Sequence, residues 1–76
     1  MEDWEKRMVE EYRQTKERYE KLHRMIVKHD AGTLDFTPKC PIGLLREQKS
    51  HMGQYLNTLL RRAEIEGVDL GSEIEG

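Results

Sequence analysis

Cysteine is almost missing from this chain of 76 residues, occurring once, at Cys40. A single thiol excludes an internal disulfide and a cysteine-rich zinc module, and it suits a reducing compartment. Proline is confined to Pro38 and Pro41, and the aromatics are few: Trp4, Tyr12, Tyr19, Phe36 and Tyr55. No run of about eighteen apolar residues occurs, and no apolar stretch follows the charges at the start, so neither a membrane span nor a signal peptide is expected. Positive charge is not in excess: thirteen Lys and Arg stand against fifteen Asp and Glu, a net charge of −2. Duplex nucleic acid and membrane are therefore not expected partners. The expected location is the cytosol of the cell that makes the protein.

What is present is a charged, moderately apolar composition, 37% against 36%, in a chain of 9.0 kDa. That is one domain at most. A chain of this mass buries only roughly 60% of its unfolded surface, so a lone domain of this size generally needs a staple. With disulfide and zinc excluded, oligomerisation is the staple left.

From Glu2 to Asp30 there is neither Pro nor Gly, and Trp4, Met8, Tyr12, Thr15, Tyr19, Leu22 and Ile26 recur in steps of four and three. This is the period of an α-helix, with Val9, Met25 and Val27 widening the stripe; a strand would alternate every second residue. Glu2, Asp3 and Glu5 occupy the first turn and Arg24, Lys28 and His29 lie near the end, the order that the helix dipole favours. A helix over residues 2–30 follows, stopped by Gly32. The connection, residues 31–40, is too short for a strand pair, and Leu34 and Phe36 are expected to fold back as an apolar cap on the hairpin end. Pro41 suits the first position of a second helix, with Cys40 as its N-cap. Ile42, Leu45, Met52, Leu56, Leu59 and Ala63 then mark a helical face over residues 41–66, ending at Gly67. Residues 68–76 read as an acidic flexible tail behind the hairpin unit of residues 1–67.

The predicted fold class is all-α: an antiparallel two-helix hairpin. Its apolar faces are wider than one seam requires, which predicts assembly into a homo-oligomeric helical bundle. Trp4, Met8, Tyr12, Tyr19, Leu22, Ile26, Leu45, Met52, Leu56 and Leu59 are the expected hairpin or oligomer core. Gly53, in mid-helix, costs about 1 kcal/mol against Ala and so implies a close helix crossing.

Chemistry-bearing motifs are sparse. His23, His29 and His51 lack the i, i+4 spacing that would put two imidazoles on one helix face, so no metal is expected. Cys40 has no base fixed beside it by sequence, and neither a phosphate loop nor a nucleophile turn occurs. No enzyme activity and no cofactor are expected. The most individual stretch, Thr37 to Arg46, joins a helix N-terminus to Gly43, Lys39 and Arg46, a combination able to hold an anion. Arg61-Arg62 forms a second basic feature, able to join Arg7, Arg13 or Arg18 across an oligomer. The candidate ligand residues are accordingly Lys39, Ile42, Gly43, Arg46, Tyr55, Arg61 and Arg62, with Tyr55 as a stacking surface. The alternative is that these residues start and stabilise helices.

Cys40-Pro41-Ile42 with Leu44-Leu45, then Met52 and Tyr55-Leu56, then Arg62-Ala63-Glu64-Ile65-Glu66-Gly67 form a pattern across Met8 to Leu70. It resembles a group of small helical-hairpin accessory proteins of tailed phages and prophages, relatives of a crAss-phage protein. The resemblance implies a phage protein working in the infected bacterium and transfers no activity. In size and architecture the chain is also similar to helical phage counter-defence proteins that sequester cyclic-nucleotide or NAD-derived immune signals. That analogy makes a small anionic nucleotide an expected partner, beside further copies of the chain. The alternative is a protein-directed inhibitor or adaptor, of the anti-CRISPR type, that docks on a host defence enzyme.

Overall fold

The computed structural model of the chain describes residues 3–70. Two helices, α1 (Asp3–Ala31) and α2 (Ile42–Glu66), pack against each other as a hairpin. Their ends obey the local chemistry. Gly32 takes φ 78°, and with it the Gly32 N–H donates to the His29 carbonyl at 3.1 Å and the Thr33 N–H to the Lys28 carbonyl at 2.9 Å. This double closure satisfies the last carbonyls of α1. Gly67, φ 74°, closes α2 in the same way, with the Val68 N–H on the Ala63 carbonyl at 2.9 Å.

At the start of α2 the expected order shifts by one residue. Pro41, not Cys40, is the N-cap, with extended backbone (φ −59°, ψ 143°) and no side-chain cap hydrogen bond. Its carbonyl accepts from the N–H groups of Leu44 and Leu45, while Cys40 is exposed. Leu34 is half-buried but Phe36 is 55% exposed, so only the first of the pair turns inward.

The core gathers where the first half of α1 meets the second half of α2: Met8 and Tyr12 against Leu56, Leu59 and Ala63, with Val9 and Tyr19 at its edge. Each large aliphatic side chain buried there stabilises the hairpin by about 1.5–3 kcal/mol. Two members come from the segment read as tail. Val68 and Leu70 are only 8% and 5% exposed and belong to this cluster. The physical reason is the Gly67 turn, which reverses the chain and lays Val68 back over Ala63, the apolar contact that accompanies this type of helix stop. The rest of the expected tail, residues 71–76, lies outside the described residues, as does Glu2.

Ile26 is buried towards the connection, Leu22, Leu45 and Met52 are half-buried, and Trp4 is 41% exposed, outside the hairpin core. No large side chain among the described residues is completely buried. The close crossing implied by Gly53 is within the hairpin itself: the ring of Tyr19 packs on it.

Candidate functional site

On one side of the core, α1 presents Trp4, Arg7 and Glu11 and α2 presents Tyr55, Leu59 and Arg62, each at helical spacing. Together with Met8 they line an open groove of about 390 Å³, within the range of small-molecule sites. The floor is apolar, from Met8 and Leu59. The walls carry two aromatic faces, Trp4 and Tyr55, and two guanidiniums, Arg7 and Arg62, against one carboxylate, Glu11.

Glu11 organises one wall. It accepts a hydrogen bond from the buried Thr15 hydroxyl at 3.4 Å, and its carboxylate faces the Tyr55 phenol. Partial burial pushes the phenol pKa up, and the charge of Glu11 and hydrogen bonding to it push it the same way, opposed by the charge of Arg62. Tyr55 therefore stays a neutral phenol with 43% of its surface open. Arg62 is held along α2 by Glu66, with nitrogen–oxygen distances of 3.3 and 3.4 Å. Arg7 makes no ion pair among the described residues, which leaves its planar fork available to an oxyanion.

The structure divides the residues nominated from sequence. Tyr55 and Arg62 share this groove, joined by Arg7, one of the first-helix cations considered beside Arg61-Arg62, and by Trp4, nominated only as core. Arg61, one position from Arg62 and so turned about 100° around the helix, does not line it. Lys39, Ile42, Gly43 and Arg46 lie at the connection end. Arg62 lies sixteen positions after Arg46 on α2, about 24 Å along the helix.

Arg46 is already engaged. Its guanidinium holds the Asp30 carboxylate through both oxygens, one at 3.0 Å and the other closer. The hydrogen bonds from Arg46, then that from His29, hold the Asp30 carboxyl below the usual carboxylate range. The pair clasps the end of α1 to the start of α2. A hollow of about 360 Å³ does lie beside it, lined by His29, Leu34, Phe36, Pro38, Cys40 and Ile42 among others, but neither Lys39 nor Arg46 lines it. The groove at Tyr55 and Arg62 is thus the better equipped of the two for an anion. The signal that would have found it is the register: Trp4, Arg7 and Glu11 fall on the α1 face that meets Tyr55 and Arg62 only if the hairpin pairs Tyr19 with Gly53.

Compared with known protein families, the chain matches the Sequestin family model over residues 2–65. The chain belongs to the Sequestin family. The Sequestin match takes in α1, the connection and nearly all of α2, including Trp4, Arg7, Tyr55 and Arg62 of the groove. The family's name points to a sequestering function. No curated protein and no solved structure matches the chain. No helix among the described residues is long and apolar enough to cross a membrane.

Proposed function

We propose that this Sequestin-family hairpin is a phage-encoded counter-defence protein that works as a homo-oligomer in the cytoplasm of the infected bacterium. It binds a nucleotide-type immune signal, a cyclic oligonucleotide or an NAD-derived molecule, and holds it without cleaving it. The observation that carries this reading is the groove itself, which joins two guanidiniums to two aromatic faces in a family named for sequestration. Arg7 and Arg62 meet phosphate oxygens by charge-assisted hydrogen bonds. Tyr55 or Trp4 stacks on a base, as aromatic side chains do in nucleotide sites. Glu11, an acceptor only, takes hydrogen bonds from ribose hydroxyls or base N–H groups. Nothing in this set needs to act as nucleophile or base.

The test is calorimetric titration of the protein with cyclic di- and trinucleotides and with ADP-ribose derivatives, alongside Arg7→Glu and Arg62→Glu. Both variants replace exposed side chains, so helicity should be kept. The reading expects one ligand class to bind and each reversal to weaken it by at least about tenfold. Equal binding by folded variants removes the groove from the reading, and no binding by any class removes the signal.

A second reading, a protein-directed inhibitor or adaptor for a host defence enzyme, is favoured by Leu60 and Ile65 on α2, which are 44% and 85% exposed. A pull-down from host lysate that recovers one stoichiometric protein, lost in Ile65→Glu, supports it.

A further inference from the structure

One long face of the hairpin is unusually open. Leu22 and Met25 of α1, with Arg18 and Lys21, form a hollow of about 370 Å³ against Gln48 and Met52. A second hollow, of about 550 Å³, continues from Gln48 and Met52 across Leu44 and Tyr55 to Glu47 and His51. Through Tyr55 it reaches the Arg7 and Arg62 groove. The first two hollows share Gln48 and Met52, and the second shares Tyr55 with the groove, so the three form one continuous face. Leu44 and Tyr55 on it are 53% and 43% exposed.

On the two hollows that share Gln48 and Met52 the charges are separated. The α1 side of the apolar strip carries Arg18 and Lys21, both cationic, while the α2 side carries Glu47 beside His51. We infer that a second copy of the chain covers this face across a two-fold axis parallel to the hairpin, with the Lys21 edge of each copy on the Glu47 edge of the other. The inference rests on the homo-oligomeric reading above and names its interface.

Over the two hollows around Gln48 and Met52, charge complementarity selects both the occupant and its orientation. A two-fold axis along the hairpin lays α1 of one copy over α2 of its partner and keeps every residue at its own level. Since Tyr19 lies against Gly53, the antiparallel register puts Lys21 and Glu47 four residues apart, about 6 Å along the axis. That is within the reach of a lysine side chain. A two-fold axis across the hairpin would instead lay α1 on α1 and press Arg18 and Lys21 against their own copies. Size agrees as well. The body measures 44 × 23 × 17 Å, so its broad face offers on the order of the 800 Å² per partner that a stable pair buries. Such a pair also supplies the burial that a hairpin with no completely buried large side chain lacks.

The experiment is sedimentation equilibrium on the full chain, with far-ultraviolet circular dichroism to confirm helicity. Four variants are compared: Met52→Glu, Lys21→Glu, Glu47→Lys, and the double variant Lys21→Glu/Glu47→Lys. The expected result is a dimeric parent, a monomeric Met52→Glu, single charge reversals that dimerise roughly threefold to thirtyfold more weakly, and recovery in the double variant. If Met52→Glu fails to fold, the charge swap and its rescue decide alone. An oligomer indifferent to all four substitutions overturns this interface and leaves the oligomeric reading standing. A monomeric parent overturns both, and so does a parent that forms a defined complex with another protein through Met52 in place of its own dimer.

Discussion

Tyr19 lies across Gly53 so closely that a Cβ added to Gly53 would stand 3.3 Å from Tyr19 Cε1. The same ring stacks on His23 at 6.4 Å between centroids, nearly parallel, and carries Lys49 Nζ at 5.8 Å from its centroid. Tyr19 is therefore held from three sides, and Gly53 is the place where α2 makes room for it.

The two effects of Gly53→Ala oppose each other. Alanine returns about 1 kcal/mol of helix propensity, and the tight ring contact takes much of it back. The expected change in wild-type stability is thus under about 1 kcal/mol, while in a Tyr19→Ala background the same substitution stabilises by the full increment. A double-mutant cycle by urea denaturation checks this, and additive effects would show that the ring does not constrain position 53.

Leu70 and Val68 pack in the core although they follow the end of α2. Leu70→Ala should cost about 2–3 kcal/mol and Val68→Ala about 1–2 kcal/mol, a large share of the stability of so small a domain. Chemical denaturation of the two variants reads this directly. Values near zero would place both residues outside the folded unit.

These two residues also mark the limit of what local sequence pattern carries. The helices were legible because the steps from Trp4 to Ile26 and from Ile42 to Ala63 have one period, and Gly32 and Gly67 stop them. Whether a chain beyond Gly67 folds back depends on the tertiary surface it meets, here the cluster of Met8, Tyr12, Leu56, Leu59 and Ala63, which no local pattern records. The same holds for Arg46. A lone arginine near a helix start reads as an anion donor until the fold brings Asp30 beside it, sixteen residues earlier. Tyr55 and Arg62 were legible as ligand candidates, but their union with Trp4 and Arg7 needed the register that Tyr19 and Gly53 set.

The Asp30 and Arg46 clasp has a defined pH signature. The Asp30 carboxyl is held below its ordinary range, so its contribution is present above the unfolded value, about pH 4, and is lost as pH falls through the lower folded value. Asp30→Asn should therefore be less stable than the parent at neutral pH by a small, salt-sensitive amount, because both side chains are exposed. The difference should close in acid. Parallel thermal melts across pH test it, and a gap that persists at the acid end would exclude the ion pair as its source.

At the groove, Glu11→Gln removes the charge that helps raise the Tyr55 phenol, and should lower its pKa towards the ordinary tyrosine value. Arg62→Gln should move it the other way, because the opposing positive charge is lost. Ultraviolet titration of each variant, with Tyr55→Phe subtracted to isolate the residue, reads both directions. No change in either variant would separate Tyr55 from Glu11 and Arg62 electrostatically.

Capture of a nucleotide-type signal can be read in one spectrum, by native mass spectrometry of protein purified gently from bacteria with an active signalling system. The expected species is an oligomer that carries extra mass of nucleotide size, released on denaturation and absent from Arg7→Glu/Arg62→Glu. A parent protein with no retained mass, which also fails to take up any cyclic nucleotide or ADP-ribose derivative added to it, would show that the hairpin does not sequester such a signal.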